Sequence, residues 1–309
     1  MKIAITGATG FVGTGLVQQL HELGHRILVL TRNRDRAQRV FPTSSFPNLD
    51  IVAYTPKQSG TWQESISGCD GVVNLAGAPL ADQRWTPERQ REILESRQLG
   101  TRTLVEAIAQ AEDRPGVLVN ASAVGYYGTS ETATFDETSA AGDDFLAQVC
   151  QAWEEEARQV KEAGTRLTIL RFGIVLGDGG AIAKMLLPFK LYAGGPIGSG
   201  RQWFSWIHRD DLVRLIIEAL TQPKFEGVYN ATAPNPVRME KLCQALGDVM
   251  HRPSWLPVPG FAIEALLGDA AKVVLEGQKV LPERTLNAGF EFKYSTIEPA
   301  VDQVIRATD

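Results

Sequence analysis

Short runs of β-branched and aliphatic residues alternate with amphipathic stretches through the first quarter of the chain. Lys2–Thr6, Arg26–Thr31, Ile51–Tyr54 and Gly71–Leu75 read as strands, while Phe11–Leu23 and Arg34–Val40 between them carry apolar residues at helical spacing. The winding continues with a long charged helix over Pro87–Ala111, whose apolar positions are Ile93, Leu94, Leu104, Val105 and Ile108, and a strand at Gly116–Ala121. A helix over Asp143–Ala163, a strand at Arg166–Phe172, a helix over Asp210–Leu220 opened by paired aspartates, and a strand at Val228–Ala231 complete the pattern. Strand–helix alternation of this kind predicts an α/β fold with a doubly wound parallel sheet, the Rossmann arrangement.

Two segments break the alternation. Gly173–Ser205 is rich in glycine and aromatics, and the chain after Pro234 is punctuated by Pro236, Pro253, Pro257 and Pro259 before a helical pattern resumes at Phe261. The expected organisation is a dinucleotide-binding domain from 1–172 plus 205–235, with a smaller substrate-side, C-terminal lobe from 173–204 plus 236–309.

Composition narrows the partners. The 309 residues are 44% hydrophobic and 22% charged with a net charge of −5, which excludes disorder and low complexity. Neither sign forms a long block, so no nucleic acid and no anionic membrane surface is expected. Cys69, Cys150 and Cys243 lack CxxC or CxxH spacing, so neither a disulfide framework nor a metal site is expected. No apolar run approaches the roughly 18–20 residues of a membrane span, and no signal-peptide pattern opens the chain. The expected location is the cytoplasm, or an organelle interior for a processed protein.

The densest local signal is Thr6-Gly7-Ala8-Thr9-Gly10-Phe11-Val12-Gly13, between the first strand and the first helix. Glycines there tighten the turn and let backbone N–H groups approach a pyrophosphate at the helix N-terminus, where the macrodipole favours negative charge. The spacing is GxxGxxG, so Gly7, Thr9, Gly10, Phe11, Val12 and Gly13 are candidate dinucleotide contacts. After the second strand, Thr31, Arg32 and Arg34 stand where an acidic residue would hold the ribose hydroxyls of NAD(H). An arginine there pairs with a 2′-phosphate instead, so NADP(H) is expected over NAD(H). Asn74-Leu75-Ala76-Gly77 closes the fourth strand and is expected to lie against the ribose and pyrophosphate.

Together with Asn120–Gly128 (NASAVGYYG), Leu170–Gly177 (LRFGIVLG), Trp206–Asp211 (WIHRDD), Arg84-Trp85-Thr86, Ser96-Arg97 and Gln278–Phe292, these elements resemble the extended short-chain dehydrogenase/reductase superfamily over essentially the whole chain. They resemble in particular an atypical branch, the NAD-dependent epimerase/dehydratase type with an extra C-terminal domain. That branch is sometimes called cell-division-inhibitor-like and is related to a plastid-division protein.

The resemblance implies cofactor contacts from Ala121 and Arg171 and a Ser, at Ser122, beside the nicotinamide. It also implies a Tyr and a Lys at i and i+4 on one helix, but Leu146 and Cys150 stand at those positions. The usual proton-transfer pair is absent, and Cys150, with no basic partner in view, reads as a small buried filler. Tyr126 and Tyr127 are the remaining candidate acids, open between catalysis and packing. Relative to nucleotide-sugar enzymes, an asparagine is replaced by Ile174 and a phosphate-clamping arginine by Phe204, which favours a flatter, more apolar ligand.

Arg84, Trp85, Arg97, Arg201 and Trp203 are the candidate substrate residues. A buried Arg97 needs a partner, either a substrate carboxylate or a local acid such as Glu92. Trp203 and Trp206 divide between lining the pocket and cementing the lobes. The His208-Arg209-Asp210-Asp211 run reads as a helix start in which an aspartate caps backbone amides.

The leading expectation is an NADP(H)-binding oxidoreductase acting on a small, partly apolar carbonyl or unsaturated molecule, as monomer or homodimer. Its proton would come from a tyrosine, water or a ribose hydroxyl. A competing expectation is an NADP(H)-responsive binding protein that needs no proton-transfer residue, and a strict nucleotide-sugar epimerase or dehydratase is disfavoured.

Overall fold

Seven strands pair in parallel in the computed structural model, which describes residues 1–307 apart from the side chains of residues 181, 183 and 184. They are β1 (Lys2–Thr6), β2 (Arg26–Thr31), β3 (Leu49–Ala53), β4 (Gly71–Asn74), β5 (Val117–Ala123), β6 (Arg166–Phe172) and β7 (Gly227–Ala231). Their order is β7-β6-β5-β4-β1-β2-β3, so the direction of winding reverses between β1 and β4. Ligand crevices of doubly wound sheets open at that reversal, beyond the carboxyl ends of the strands.

Both faces of the sheet are covered. On one face α1 (Phe11–Glu22) and α6 (Arg209–Thr221) contribute Leu16, Val17, Leu20, Leu212, Leu215 and Ile216 to a core with Ile3, Ile5 and Val29. On the other, α3 (Pro87–Gln110) and α4 (Phe145–Arg158) pack Leu104, Ala107, Ile108 and Ala157 against Ala4, Leu28, Val72 and Leu118. Burial on both faces is why these strands read as near-continuous apolar runs. A third core lies outside the sheet, among Phe189, Trp206, Leu242, Leu246, Val301 and Val304.

Two boundaries differ from the pattern. The helix expected to reach Ala163 is α-helical only to Arg158, tightens to a 3-10 turn over Gln159–Ala163 and stops at Gly164, whose φ of +78° makes the left-handed cap. Strand β5 runs to Ala123, past the expected Ala121, because Ser122 and Ala123 pair with Arg171 and Phe172 of β6. Small residues are poor strand formers, and cross-strand pairing overrides that preference.

The C-terminal chain returns to the sheet. Lys279–Val280 pairs with Thr134–Phe135, and Phe290 enters the α1/α6 core. The cap of α6 is His208, whose Nδ1 accepts the Asp210 amide (3.1 Å), while Asp211 accepts the amides of Lys293 (2.8 Å) and Tyr294 (2.9 Å). The aspartate therefore ties the C-terminal segment to α6 rather than closing the helix end. Among the described residues no helix is long and apolar enough to cross a membrane.

Candidate functional site

The turn between β1 and α1 is glycine for steric reasons that the geometry makes explicit. Gly7 has φ +70°, and a Cβ on it would lie 2.8 Å from the Leu75 carbonyl carbon. A Cβ on Gly13 would lie 2.4 Å from the Gly7 oxygen and 2.6 Å from the Ala8 Cα. Side chains are thus excluded on both sides of the turn, and Gly10 precedes α1 without a side chain to cap it. Thr6 joins this turn to the end of β4: its Oγ1 donates to Asn74 Oδ1 (2.7 Å) and accepts the amides of Leu75 (3.2 Å) and Ala76 (3.3 Å). Asn74 in turn donates to Asn120 Oδ1 (2.7 Å) and Thr101 Oγ1 (2.9 Å), so a buried polar chain sets the spacing of β1, β4 and β5 at their carboxyl ends.

A cavity of about 740 Å³ begins at this turn. Gly7, Gly10, Phe11, Val12, Gly13 and Leu75 line one end; Ala121–Gly125, Leu146, Cys150, Phe172–Val175 and Tyr127 line the rest. Thr9, Asn74, Ala76 and Gly77 lie in the same turns without lining it. At the end of β2 a second cavity of about 340 Å³ is lined by Arg32, Tyr54, Ser59, Gly60, Thr61 and Trp62. Thr31 is buried, with its hydroxyl accepting the Asn33 amide at 3.2 Å, and Arg32 and Arg34 are exposed without a carboxylate partner among the described residues. Asn33 caps α2 (Arg34–Val40) by accepting the Arg36 amide at 2.8 Å.

The face of α4 that lines the cavity is apolar at the two positions where the resemblance implies a Tyr and a Lys. Leu146 and Cys150 both line the cavity, one turn apart on α4. Burial above all pushes the Cys150 thiol up to about 11, with the Glu154 carboxylate adding to it. One turn further along the same face, Glu154 is fully buried and receives Ser122 Oγ (2.8 Å), Arg171 Nε (2.7 Å), Arg171 Nη2 (2.9 Å) and Arg158 Nη2 (2.9 Å).

Arg171 also donates to the Tyr127 hydroxyl (3.0 Å) and lies 3.3 Å above the Tyr126 ring. Burial opposes its charge, but the hydrogen bonds and charge of Glu154 outweigh that and hold it above the ordinary arginine range. Tyr127 donates to Asn230 Oδ1 (2.7 Å), and burial pushes its phenol up to about 12 despite Arg171. Tyr127 lines the cavity and Tyr126 does not. Ser122, Tyr126, Tyr127 and Arg171 are therefore brought together in one buried network centred on Glu154.

The candidate substrate residues separate. Trp85, Arg97 and Trp203 line the cavity. The Trp85 indole donates to the Leu80 carbonyl (2.8 Å) and meets the Phe145 ring edge-on at 5.1 Å. Trp203 is sandwiched by Arg238 (3.8 Å) and Lys279 (5.2 Å) and donates to the Glu131 carbonyl. Trp206 is fully buried in the third core, so the two tryptophans do divide between pocket and packing. Ile174 lines the cavity and Phe204 is in the core. Arg84 turns away to donate to the carbonyls of Ala265 and Leu266, which end the exposed helix α8 (Gly260–Leu267). Arg201 is exposed and 3.7 Å from Glu131.

Two residues unmarked in the sequence reading matter here. Glu154 sits in the run Glu154-Glu155-Glu156, where only the helical phase shared with Leu146 and Cys150 signals an inward carboxylate. Trp153 lines the cavity with its indole Nε1 buried and without an acceptor.

Comparison with known proteins identifies the family. The model of the NAD dependent epimerase/dehydratase family matches residues 3–232, and that of a domain of unknown function, DUF1731, matches residues 258–304. The chain is 52% identical over 309 residues to an epimerase family protein SDR39U1 homolog, chloroplastic, of Arabidopsis thaliana, covering 99% of this chain and 87% of the relative. It is 40% identical over 307 residues to the epimerase family protein YfhF of Bacillus subtilis, covering 99% and 98%. The crystal structure of human epimerase family protein SDR39U1 (isoform2) with NADPH superposes with a TM-score of 0.87 at 35% identity, covering 99% of both chains.

Proposed function

This chain belongs to the NAD dependent epimerase/dehydratase family, and from that premise we propose that it is an atypical NADP(H)-dependent oxidoreductase acting on a small, partly apolar carbonyl or unsaturated compound. The observation that carries the reading is that one cavity of about 740 Å³ is lined both by the glycine turn and by Ser122, Trp85, Phe145, Leu146 and Ile174. A cofactor site and an apolar wall that share one cavity suit a small ligand held beside a dinucleotide.

The residues fit the cofactor. Gly7, Thr9, Gly10, Phe11, Val12 and Gly13 present backbone to a pyrophosphate, and the space a Cβ would fill at Gly7 and Gly13 keeps the turn closed. Leu75, Ala76, Gly77 and Ala121 flank the dinucleotide path, with Asn74 setting their position. Arg32, which lines the second cavity, and Arg34, both without a carboxylate partner among the described residues, take a 2′-phosphate. The NADPH bound by the human relative supports the choice of the phosphorylated form. When bound, the nicotinamide supplies or accepts a hydride.

What the chain's own groups do is bind and orient. Leu146 cannot move a proton, burial pushes the Cys150 thiol up to about 11, and the Tyr127 phenol, pushed up to about 12, keeps its proton toward Asn230. With Tyr126 outside the cavity lining, water or a ribose hydroxyl completes proton transfer at the substrate. Glu154 and Arg171 are positioning residues that fix Ser122 and Tyr127 beside the reacting end. The test is oxidation of NADPH by the purified protein with a panel of quinones, aldehydes and enones: at least one is expected to accelerate it.

The same observations favour a second reading, an NADP(H)-responsive binding protein, because Leu146, Cys150 and the Glu154-bound Ser122 leave no ready acid. Tight NADPH binding with no turnover across the panel selects that reading.

A further inference from the structure

One corner of the main cavity is built around Arg97 and Trp153. Arg97, half-buried on α3, uses only Nη1 for hydrogen bonds, to the carbonyls of Ala78 (3.1 Å) and Ile93 (3.1 Å). No carboxylate among the described residues pairs with it, since Glu92 is taken by Arg89 at 2.6 Å. Burial, uncompensated by an acid, pulls Arg97 down to about 10. Its guanidinium lies against Gly77, where a Cβ would come within 2.9 Å of Cζ, and over the Trp153 ring at 5.1 Å. The Trp153 Nε1–H is enclosed and without an acceptor among the described residues, so the cavity meets the ring and not the N–H.

Both residues line the cavity, and the wall next to them, Phe145, Leu146 and Val149, is apolar. A half-buried guanidinium that meets only two carbonyls, both through Nη1, keeps donors and a positive charge that an anionic ligand in the cavity can answer. The acceptor chemistry that answers a guanidinium is a planar carboxylate, which has an oxygen for each donor.

We propose that this corner is a carboxylate subsite, in which Arg97, set over the Trp153 ring, holds the acid group of a small monocarboxylate whose apolar body lies along Phe145 and Leu146. The subsite rests on the reductase reading only for the statement that this acid is the substrate. Asp143, Asp144, Asp269 and Glu276 on the rim are exposed and screened, so Arg97 sets the charge preference inside while they disfavour a second negative charge on the ligand.

The experiment is calorimetric titration of the NADPH-loaded protein with cinnamate and, separately, with cinnamamide. Cinnamate is expected to bind at least about ten-fold tighter than its uncharged amide. Arg97→Gln is expected to abolish that preference without a matching loss of NADPH affinity, and Trp153→Phe, which keeps a ring beneath the guanidinium, to preserve the preference. Equal binding of acid and amide, no binding of either at millimolar concentration, or a loss of NADPH affinity in Arg97→Gln that matches the loss of cinnamate overturns the subsite.

The comparison of acid with amide on the wild-type protein decides the matter even if a variant fails to fold. If NADPH itself does not bind, the reductase reading falls separately, and the same two titrations on the unloaded protein still decide the subsite.

Discussion

Glu154 of α4 and Arg171 of β6 form a two-pronged ion pair inside the molecule, with Oε1 2.7 Å from Nε and Oε2 2.9 Å from Nη2, at 0% and 2% exposure. The pair fastens the helix that carries Leu146 and Cys150 to the strand beside β5, and it takes the Ser122 hydroxyl into the same network. Charges this deep persist only when paired and fully hydrogen-bonded. The network thus explains how a site without the usual Tyr and Lys keeps a defined shape.

Glu154→Ala is expected to cost about 3–5 kcal/mol, because it strands the Arg171 charge in the interior. Ser122→Ala removes one hydrogen bond to that carboxylate but leaves the ion pair, and is expected to cost less, about 1.5–3 kcal/mol. Urea unfolding of the two variants measures the contrast, and equal costs would mean that the pair is not what organises the site.

The glycine turn yields a pair of alanine variants with opposite outcomes. At Gly13 a Cβ meets backbone at 2.4 Å, so Gly13→Ala must displace the turn, at about 1–3 kcal/mol and a loss of NADPH affinity of at least about ten-fold. At Gly15, within α1, nothing lies closer than 3.6 Å, so Gly15→Ala is expected to stabilise by about 0.5–1 kcal/mol and leave NADPH binding alone. Thermal melts and calorimetry together read both.

Arg32 separates the two pyridine nucleotides. Arg32→Ser is expected to weaken NADPH by about 10–100-fold, the value of about 1.5–3 kcal/mol for a hydrogen bond to a charged group, while NADH affinity stays constant. Parallel loss of both nucleotides in titrations of this variant would assign Arg32 to the adenine rather than to the phosphate.

His208 predicts an acid-side loss of stability. Burial lowers its pKa below 6.5, against Asp210 and Asp211, and it caps α6 through Nδ1 while Nε2 meets Gln303 Oε1 at 2.7 Å. The neutral ring is the folded form, so the unfolded chain binds the extra proton. Its contribution is intact above pH 6.5 and declines as pH falls from there toward the lower folded-state pKa, at up to about 1.4 kcal/mol per pH unit. His208→Asn, which retains a capping oxygen, is expected to flatten that slope in urea unfolding at a series of pH values; an unchanged slope would assign the dependence to other groups.

Much of the architecture was legible in the one-dimensional pattern because a strand buried on both faces and an amphipathic crossover helix each have a distinctive period. The glycine turn was legible because its spacing is local, with Gly13 packed on Gly7 and Ala8, although the close approach of Leu75 to Gly7 comes from the distant strand β4. The interior network was not, because Glu154 and Arg171 are 17 residues apart and meet only across a helix–sheet contact. Arg84 shows the same limit: it lies 182 residues before Leu266, and no periodicity encodes which carbonyl its guanidinium will find. For Arg97 the sequence left two partners open, and the structure removed Glu92 by giving it to Arg89.

Calorimetric titration of the wild-type protein with NADPH and with NADH tests the central claim most directly, that the glycine turn and Arg32 together hold a 2′-phosphorylated dinucleotide. The account predicts one NADPH per chain, bound at least about ten-fold tighter than NADH. Absence of binding by both nucleotides, or equal affinity for the two, would contradict it.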